Sequence, residues 1–183
     1  MINISVVKSE DELLQIHYLN QENLKQHLDE QTKQSEGFVS WLYPVELLKK
    51  MHRLAPSIIA KEEGRVVAYA LATVRESKVF HPDLERMFLN LELVRYQNKF
   101  LSDYRFYCMG QICVAKEYRG RGLVNKLYQK HSEVYGSDYD FILTEVSTSN
   151  YRSLKAHEKA GFQTIHTYTD SMDEWNVVVW NWK

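Results

Sequence analysis

The sequence predicts a mixed α+β fold, in which a parallel strand-helix-strand unit lies inside a mainly antiparallel sheet and helices flank the sheet. Two β-rich runs, 57–62 and 65–73, are separated by a two-residue turn that contains glycine, which is typical of an antiparallel hairpin. A strand at 106–114, a helix after Gly122 and a largely apolar strand at 141–146 then follow one another. That order favours a parallel crossover connection.

The first 60 residues predict one further strand and two helices. Alternating apolar and polar residues at 2–7 indicate a half-buried strand, and Ser9 or Asp11 can cap the helix that follows. Pro44 precedes a short amphipathic helix, which should end before Pro56 because proline cannot continue a helix.

A helix is also predicted from Pro82 to about residue 100. Apolar residues recur there at helical spacing from Leu84 to Val94. Two interpretations stay open. The helix packs on the surface of the sheet, which we favour, or it forms a lid over a site.

The strand at 106–114 has a glycine, Gly110, in its interior. An internal glycine indicates a bulge or the close approach of another backbone. Cys108 and Cys113 lie five positions apart in this strand, so we expect their side chains on opposite faces and no disulfide between them.

The chain should finish with one helix and two strands. The helix is predicted at about 150–160, with Ser149 or Asn150 as its N-cap and Gly161 at its end. The two closing strands, within 162–182, should form an antiparallel pair. Because 183 residues suffice for one core and no linker interrupts them, we expect a single domain over 1–183.

Composition and charge exclude several classes of protein. The formal net charge is only -1, so neither nucleic acid nor an anionic membrane is expected as a partner. A signal-like start, an apolar run long enough to span a bilayer and a cysteine framework are all absent from the sequence, which favours a cytoplasmic location. The sequence leaves a homodimer open.

The loop between the strand at 106–114 and the next helix has the composition of an anion site. In Arg119-Gly120-Arg121-Gly122, two glycines permit a tight turn that exposes N–H groups, and the following helix adds the positive end of its dipole. The arginines are either phosphate contacts or solvated surface residues. A lone G-x-G motif is weak evidence for an anion site, because an ordinary strand-to-helix turn also uses glycine.

Two sequence blocks together resemble the GCN5-related N-acetyltransferase (GNAT) superfamily. The first, Arg119-Gly120-Arg121-Gly122-Leu123-Val124, is similar to the family's Q/R-x-x-G-x-G/A, with Val124 replacing the usual small residue. The second begins at Glu145-Val146, continues through Asn150 and Ser153, and ends at His157-Glu158-Lys159-Ala160-Gly161-Phe162. The resemblance covers about 104–168, and two blocks in the right order are far more specific than either one.

The resemblance implies an N-acetyltransferase that moves an acetyl group from acetyl-CoA directly to a primary amine of a small molecule, peptide or protein. It divides the domain into a variable acceptor-side half (1–103), an acetyl-CoA-binding core (104–168) and a closing strand (169–183). Acetyl-CoA is then a cosubstrate. The histidines lack metal-ligand spacing such as H-E-x-x-H, so no metal is expected.

The resemblance also implies which residues bind coenzyme A. The strand near residue 112 would pair with the pantetheine arm, the loop would take the pyrophosphate, and the last helix would reach the arm. Asn150 has an equally good interpretation as a helix cap. The implied cofactor-binding residues are Ile112, Cys113, Val114, Arg119, Gly120, Arg121, Gly122, Leu123, Val124, Asn125, Asn150 and Ser153.

Two catalytic residues are implied, Glu145 as the base and His157 in a position where many family members have a tyrosine acid. Each has another interpretation: Glu145 as a strand carboxylate paired with a lysine or arginine, and His157 as packing beside the pantetheine arm. Water could carry the proton instead. Backbone N–H groups at 111–114 are candidates for polarising the thioester carbonyl.

Two other functions stay open. His157 and Val124 depart from the family pattern, and this motivates a catalytically weak coenzyme-A-binding sensor or interaction module of the same fold. An unrelated phosphate-binding α/β protein is the third hypothesis.

Overall fold

A computed structural model describes residues 1–182, which form a seven-stranded sheet with helices on both faces. The strands are β1 (Asn3–Val6), β2 (Ile58–Glu62), β3 (Arg65–Thr73), β4 (Arg95–Tyr96), β5 (Lys99–Phe100), β6 (Phe106–Val114), β7 (Phe141–Ser147), β8 (Gln163–Thr169) and β9 (Glu174–Trp180). The helices are α1 (Glu10–Glu22), α2 (Glu30–Glu36), α3 (Val45–Leu54), α4 (Pro82–Glu92), α5 (Leu123–Tyr135) and α6 (Tyr151–Lys159).

The strand order of the large sheet is β1-β2-β3-β6-β7-β9-β8, and β4 and β5 form a separate small hairpin. All neighbours in the large sheet are antiparallel except β6 and β7, which are parallel on either side of the crossover through α5. The mixed, mostly antiparallel sheet with one parallel unit is therefore confirmed. The antiparallel hairpin of β2 and β3 is confirmed as well.

Apolar side chains of the sheet pack against a different set of helices on each face. Helices α1, α3 and α4 cover one face through residues such as Ile16, Leu48 and Phe88. Helix α5 covers the other through Leu127 and Tyr128. Strands β6 and β7 therefore lie in the middle of the sheet, with helices packed on both faces.

A bulge in β6 corrects the prediction for the two cysteines. Ala70 pairs with Ile112 but Ala72 pairs with Met109, so β6 has one extra residue around Gly110. The extra residue resets the alternation of side chains, and Cys108 and Cys113 both point to the face covered by α1, α3 and α4. The prediction of opposite faces is wrong for this reason. Both cysteines are buried free thiols.

The helix predicted from Pro82 to about residue 100 is too long. Helix α4 ends at Glu92, and Val94 lies in the connection to the hairpin of β4 and β5. The hairpin turn places Gln97 and Asn98 at φ values of 47° and 67°, a left-handed conformation that a helix cannot contain. The apolar spacing continues past the helix because Val94 still packs into the core.

The predicted helix starts are confirmed where a side chain caps them. Ser9 accepts a hydrogen bond from the Glu12 N–H and completes a capping box at α1. At α6 the cap is Asn150, which accepts from the Ser153 N–H at 3.2 Å, and not Ser149. Within residues 1–182, no helix is long and apolar enough to cross a membrane.

Candidate active site

The parallel strands β6 and β7 separate at their carboxyl ends, and two adjacent cavities lie where they part. The strands pair only over 106–108 and 141–143, because the bulge at Gly110 turns the rest of β6 away from β7. One cavity, the loop cleft, has a volume of about 400 Å³ and lies between the end of β6, the loop 119–122 and α6. The other, the carboxylate cavity, has about 160 Å³ and contains Glu145. Residues that line both are Phe38, Val39, Ile112, Asn150, Ser153 and His157.

The loop cleft ends at the amino terminus of α5, where backbone N–H groups have no side-chain cap. Gly120 and Gly122 have φ values of 75° and 73°, which L-residues other than glycine rarely adopt, and the space around each is open. Gly122 is the N-cap of α5 and, having no side chain, leaves the first N–H groups of the helix directed into the cleft. The loop can therefore bind an anion through its backbone.

The two arginines of this loop are held by protein groups. Arg119 donates from Nε to the carbonyl of Val114 at 3.0 Å and from Nη2 to Oδ1 of Asn23 at 2.6 Å, and its Nη1 forms an ion pair with Glu36. Arg121 donates to the carbonyl of Glu117 and does not line either cavity. An anion in this loop would therefore be held by the backbone more than by these side chains.

The end of β6 presents backbone groups to the loop cleft. Ala115 donates its N–H to Val67 on β3 at 2.9 Å. Since successive N–H groups of a strand point in opposite directions, those of Val114 and Ile112 are directed away from β3, towards the cleft. Cys113 between them is buried, and burial raises the pKa of its thiol to about 12, so it is a packing residue and not a thiolate nucleophile.

The start of α6 forms the opposite wall of the loop cleft. The amide of Asn150 donates to the carbonyl of Phe38 at 2.9 Å while its oxygen caps the helix. Asn150 is 5% exposed, so this one side chain fixes both α6 and the segment around Phe38 at the cleft. Ser153 lies one turn further along the same wall.

Glu145, on β7, lines the carboxylate cavity. Its Oε1 accepts a hydrogen bond from the hydroxyl of Tyr168 at 2.6 Å. The residue keeps some surface towards the cavity, yet burial raises the pKa of its carboxyl group to about 7, the bond from Tyr168 opposes the rise, and the charge of Asp170 adds to it. A carboxyl group with this pKa can accept and release a proton at neutral pH.

His157 lies in α6 on the boundary of the two cavities and is only 1% exposed. Its Nδ1 is 2.7 Å from the carbonyl of Ser153, an acceptor, so Nδ1 holds the ring proton. Its Nε2 then accepts from the hydroxyl of Tyr128 at 2.7 Å. Burial lowers the pKa of His157 to about 4, which keeps the ring neutral at physiological pH.

Comparison with known proteins now identifies the family. A sequence model of the acetyltransferase (GNAT) family matches residues 16–162. The chain belongs to this family. No curated protein matches the sequence.

Solved structures with the GNAT fold are similar to nearly the whole chain. They include the NatC complex bound to a Gag peptide and CoA (TM-score 0.66, 14% identity, covering 100% of this chain and 99% of that chain). The ribosomal-protein-S18-alanine N-acetyltransferase from Escherichia coli has a TM-score of 0.63 at 14% identity, covering 99% and 94%. An aminoglycoside acetyltransferase in complex with coenzyme A has a TM-score of 0.61 at 18% identity, covering 100% and 95%. At these identities the likeness shows the fold.

The structure brings the sequence-predicted site residues of this GNAT chain together with one exception. Arg121 lies outside both cavities, whereas the other predicted cofactor-binding residues line the loop cleft. Glu145 and His157 line the carboxylate cavity. Within residues 1–182, no three His, Cys, Asp or Glu side chains converge on a point that could hold a metal ion.

Sequence reasoning missed two groups of residues that line the cavities. Exposed cationic side chains of α6 line the loop cleft, and their helical spacing was a signal that could have found them: Arg152, Lys155 and Lys159. Aromatic and acidic side chains from α4, β8, β9 and two loops line the carboxylate cavity, and no local pattern connects them. They are Trp41, Tyr43, Asp83, Tyr168, Asp170 and Trp175.

Proposed function

We propose that this protein is an N-acetyltransferase that transfers the acetyl group of acetyl-CoA directly to a primary amine. The observation that carries the proposal is the adjacency of the two cavities. An anion-binding helix start and a free strand edge lie in one, and a carboxyl group with a pKa of about 7 lies in the other. The two cavities share lining residues, among them Ile112 and His157.

The groups that line the loop cleft support coenzyme A as its ligand. The uncapped N–H groups that begin α5 would hold the pyrophosphate, since glycine at 120 and 122 leaves no side chain between the backbone and an anion. The N–H groups of Ile112 and Val114 would pair with the pantetheine arm. The cations of α6, Arg152, Lys155 and Lys159, would add charge-assisted contacts to phosphate oxygens.

Glu145 would act as the general base. An acceptor amine is protonated in water, with a pKa of ~10.4 for a lysine-type amine, and must lose a proton before or during the transfer. The Glu145 carboxylate can take that proton, and the hydroxyl of Tyr168 holds the receiving group in place. With a pKa of about 7, about half of the Glu145 carboxyl groups are ionised at pH 7 and can accept a proton.

For His157 the geometry supports packing beside the arm better than a general acid. The only proton of the neutral ring is donated to the Ser153 carbonyl, and the other nitrogen accepts from Tyr128. We therefore propose that His157 positions α6 against α5 at the junction of the cavities. The departing sulfur would then take its proton from solvent or from the amine.

The test is release of free thiol from acetyl-CoA by the purified protein in the presence of a panel of amines. The proposal expects amine-dependent release and a product with one acetyl group on nitrogen, identified by mass spectrometry. Glu145→Gln serves as the matched variant because it keeps the shape and removes the base. Release that is independent of every amine would contradict the proposal.

A coenzyme-A-binding module without catalysis is the second candidate, and the engaged nitrogens of His157 favour it. Tight binding of acetyl-CoA, together with no acetylation of any amine, would establish this alternative. Thermal stabilisation by nucleotides but not by coenzyme A would instead indicate an unrelated phosphate-binding protein.

A further inference from the structure

We propose that the acceptor is a primary amine on an alkyl or arylalkyl group, and that the carboxylate cavity excludes amines that carry a carboxylate on the same carbon. Free α-amino acids would then not be substrates. This inference rests on the proposed function and names the substrate class of the same site.

Negative charge dominates the ionisable groups that line the carboxylate cavity. Three carboxyl groups line it, from Asp83, Glu145 and Asp170, against one cationic side chain among the described lining residues, Arg86. Asp170 is ionised at neutral pH. Burial opposes its ionisation, but hydrogen bonds from Trp175 Nε1 at 3.0 Å and from two backbone N–H groups outweigh burial and lower its pKa.

The positive charge of Arg86 is already balanced by a carboxylate of the protein. Nη2 of Arg86 lies 2.5 Å from Oδ1 of Asp83, one turn earlier on α4. Its charge also acts on Asp170 across the cavity. A carboxylate on the acceptor would have to share Arg86 with Asp83 and Asp170, and it would meet Asp170 and Glu145 with no other cationic side chain among the described lining residues to balance it.

The remaining walls suit an ammonium group carried on an apolar body. Trp41 and Tyr43 pack edge to face at 4.4 Å and form one wall, and Trp175 belongs to another. Aromatic faces attract cations and bury apolar surface. Met87 and Met172 add apolar surface that adapts to the shape of a ligand.

The loop that carries Trp41 is held by hydrogen bonds from neighbouring side chains, so the aromatic wall of the cavity is in place before an acceptor binds. The carbonyl of Trp41 accepts from Gln111 Nε2 at 2.8 Å and from Asn20 Nδ2 at 3.0 Å. Asn20 is fully buried and also accepts from the Tyr43 N–H at 2.8 Å. Residues 38–44 of this loop include no cationic side chain, so the loop offers no charged partner for a carboxylate.

The experiment compares each amino acid with its decarboxylated amine. L-phenylalanine is paired with 2-phenylethylamine and L-norvaline with butylamine, and kcat/KM is expressed per unprotonated amine because the amines titrate differently. L-phenylalaninamide separates charge from size, since it keeps the bulk of the carboxylate without its charge. We expect a preference of at least about 100-fold for the amine over the amino acid, and an amide within about 10-fold of the amine.

A matched pair of variants assigns the effect to the cavity. Asp170→Asn keeps the oxygen that caps the turn and removes the charge, so the preference for amine over amino acid should fall by about 10-fold or more. Asp138→Asn makes the same change on an exposed turn outside both cavities and should leave the preference unchanged.

Every outcome decides the inference. An amino acid as good as its amine, an amide as poor as the amino acid, or an unaltered preference in Asp170→Asn would each overturn it while leaving the N-acetyltransferase itself standing. If no amine in the panel is acetylated although acetyl-CoA binds, the proposed function fails, and the inference fails with it.

Discussion

Replacing Glu145 with glutamine removes a carboxyl group whose pKa burial raises to about 7, and leaves an amide of nearly the same shape in the carboxylate cavity. If Glu145 is the base, the variant loses the proton acceptor for the amine. Positioned general bases contribute about 10²- to 10⁴-fold. We therefore expect kcat/KM at pH 8 to fall by about 100-fold or more.

The pH dependence of the rate gives a more specific expectation. With a pKa of about 7 the carboxyl group is about 10% ionised at pH 6, about 50% at pH 7 and about 90% at pH 8. The ionised fraction, and with it the contribution of Glu145 to the rate, should thus rise by about 10-fold from pH 6 to pH 8. The acceptor amine titrates as well, but its effect cancels when the ratio of wild-type to Glu145→Gln rates is plotted against pH.

The assay is thiol release from acetyl-CoA at fixed saturation with an amine that the panel identifies, measured from pH 5.5 to 9. We expect the ratio to rise through an inflection near pH 7 and then level off. A ratio that is flat with pH would refute the assignment of Glu145 as base and point to water or another group.

Two neighbouring variants should move this inflection in opposite directions. Tyr168→Phe removes a hydrogen bond that stabilises the Glu145 carboxylate, so the pKa of Glu145 should rise and the inflection should move to higher pH. Asp170→Asn removes a nearby negative charge, so the pKa should fall and the inflection should move to lower pH. Shifts in the same direction would contradict the electrostatic account.

Three further outcomes follow from the structure. Since the folded-state pKa of Glu145 lies above the unfolded value, the free energy of unfolding of the wild type falls as pH rises towards 7. In thermal melts, Glu145→Gln should therefore be more stable than the wild type at pH 8, by about 3 kcal/mol at most, and equally stable near pH 4. His157→Phe leaves the Tyr128 hydroxyl buried without its acceptor and should cost about 1–3 kcal/mol in urea unfolding, partly restored by adding Tyr128→Phe; a loss that the second change fails to reduce would contradict the pairing. In Gly110→Ala the new Cβ would lie 2.8 Å from the Tyr43 hydroxyl and closer still to Thr73. The free energy of unfolding should therefore drop by about 1–3 kcal/mol. An unchanged value would show that the bulge relaxes.

The sequence predicted those parts of the fold that depend on local patterns. Ser9 and Asn150 cap their helices because their side chains bond to N–H groups only three residues away. The hairpin of β2 and β3 follows from Glu63 and Gly64, which both adopt positive φ in its turn. Residues in the loop cleft were found for the same reason, since most of them belong to two short continuous blocks.

Features that depend on distant residues were beyond local patterns. Gly110 marked a bulge, but only the pairing of β6 with β3 shows that the extra residue turns Cys108 and Cys113 to one face. Arg119 has the right place for a phosphate contact, yet Glu36 and Asn23, from far earlier in the chain, hold its guanidinium. Such partners are fixed by tertiary packing alone.

The lining of the carboxylate cavity also depends on residues that are distant in sequence. Strand β9 inserts between β7 and β8, and this order brings the turn that carries Asp170 to the mouth of the cavity beside Glu145. Residues near 41 and on α4 complete the walls from the other side. Neither the raised pKa of Glu145 nor the acidic lining can be read from the motif, because both arise from side chains distant in sequence.

The central claim is that backbone N–H groups at the start of α5 donate hydrogen bonds to the diphosphate of coenzyme A. Titration calorimetry of the purified protein with coenzyme A, and in parallel with pantetheine, which lacks the diphosphate and the nucleotide, tests it most directly. We expect coenzyme A to bind with a Kd in the micromolar range and pantetheine at least about 100-fold more weakly. Equal affinity for the two ligands, or no heat of binding with coenzyme A, would contradict the account.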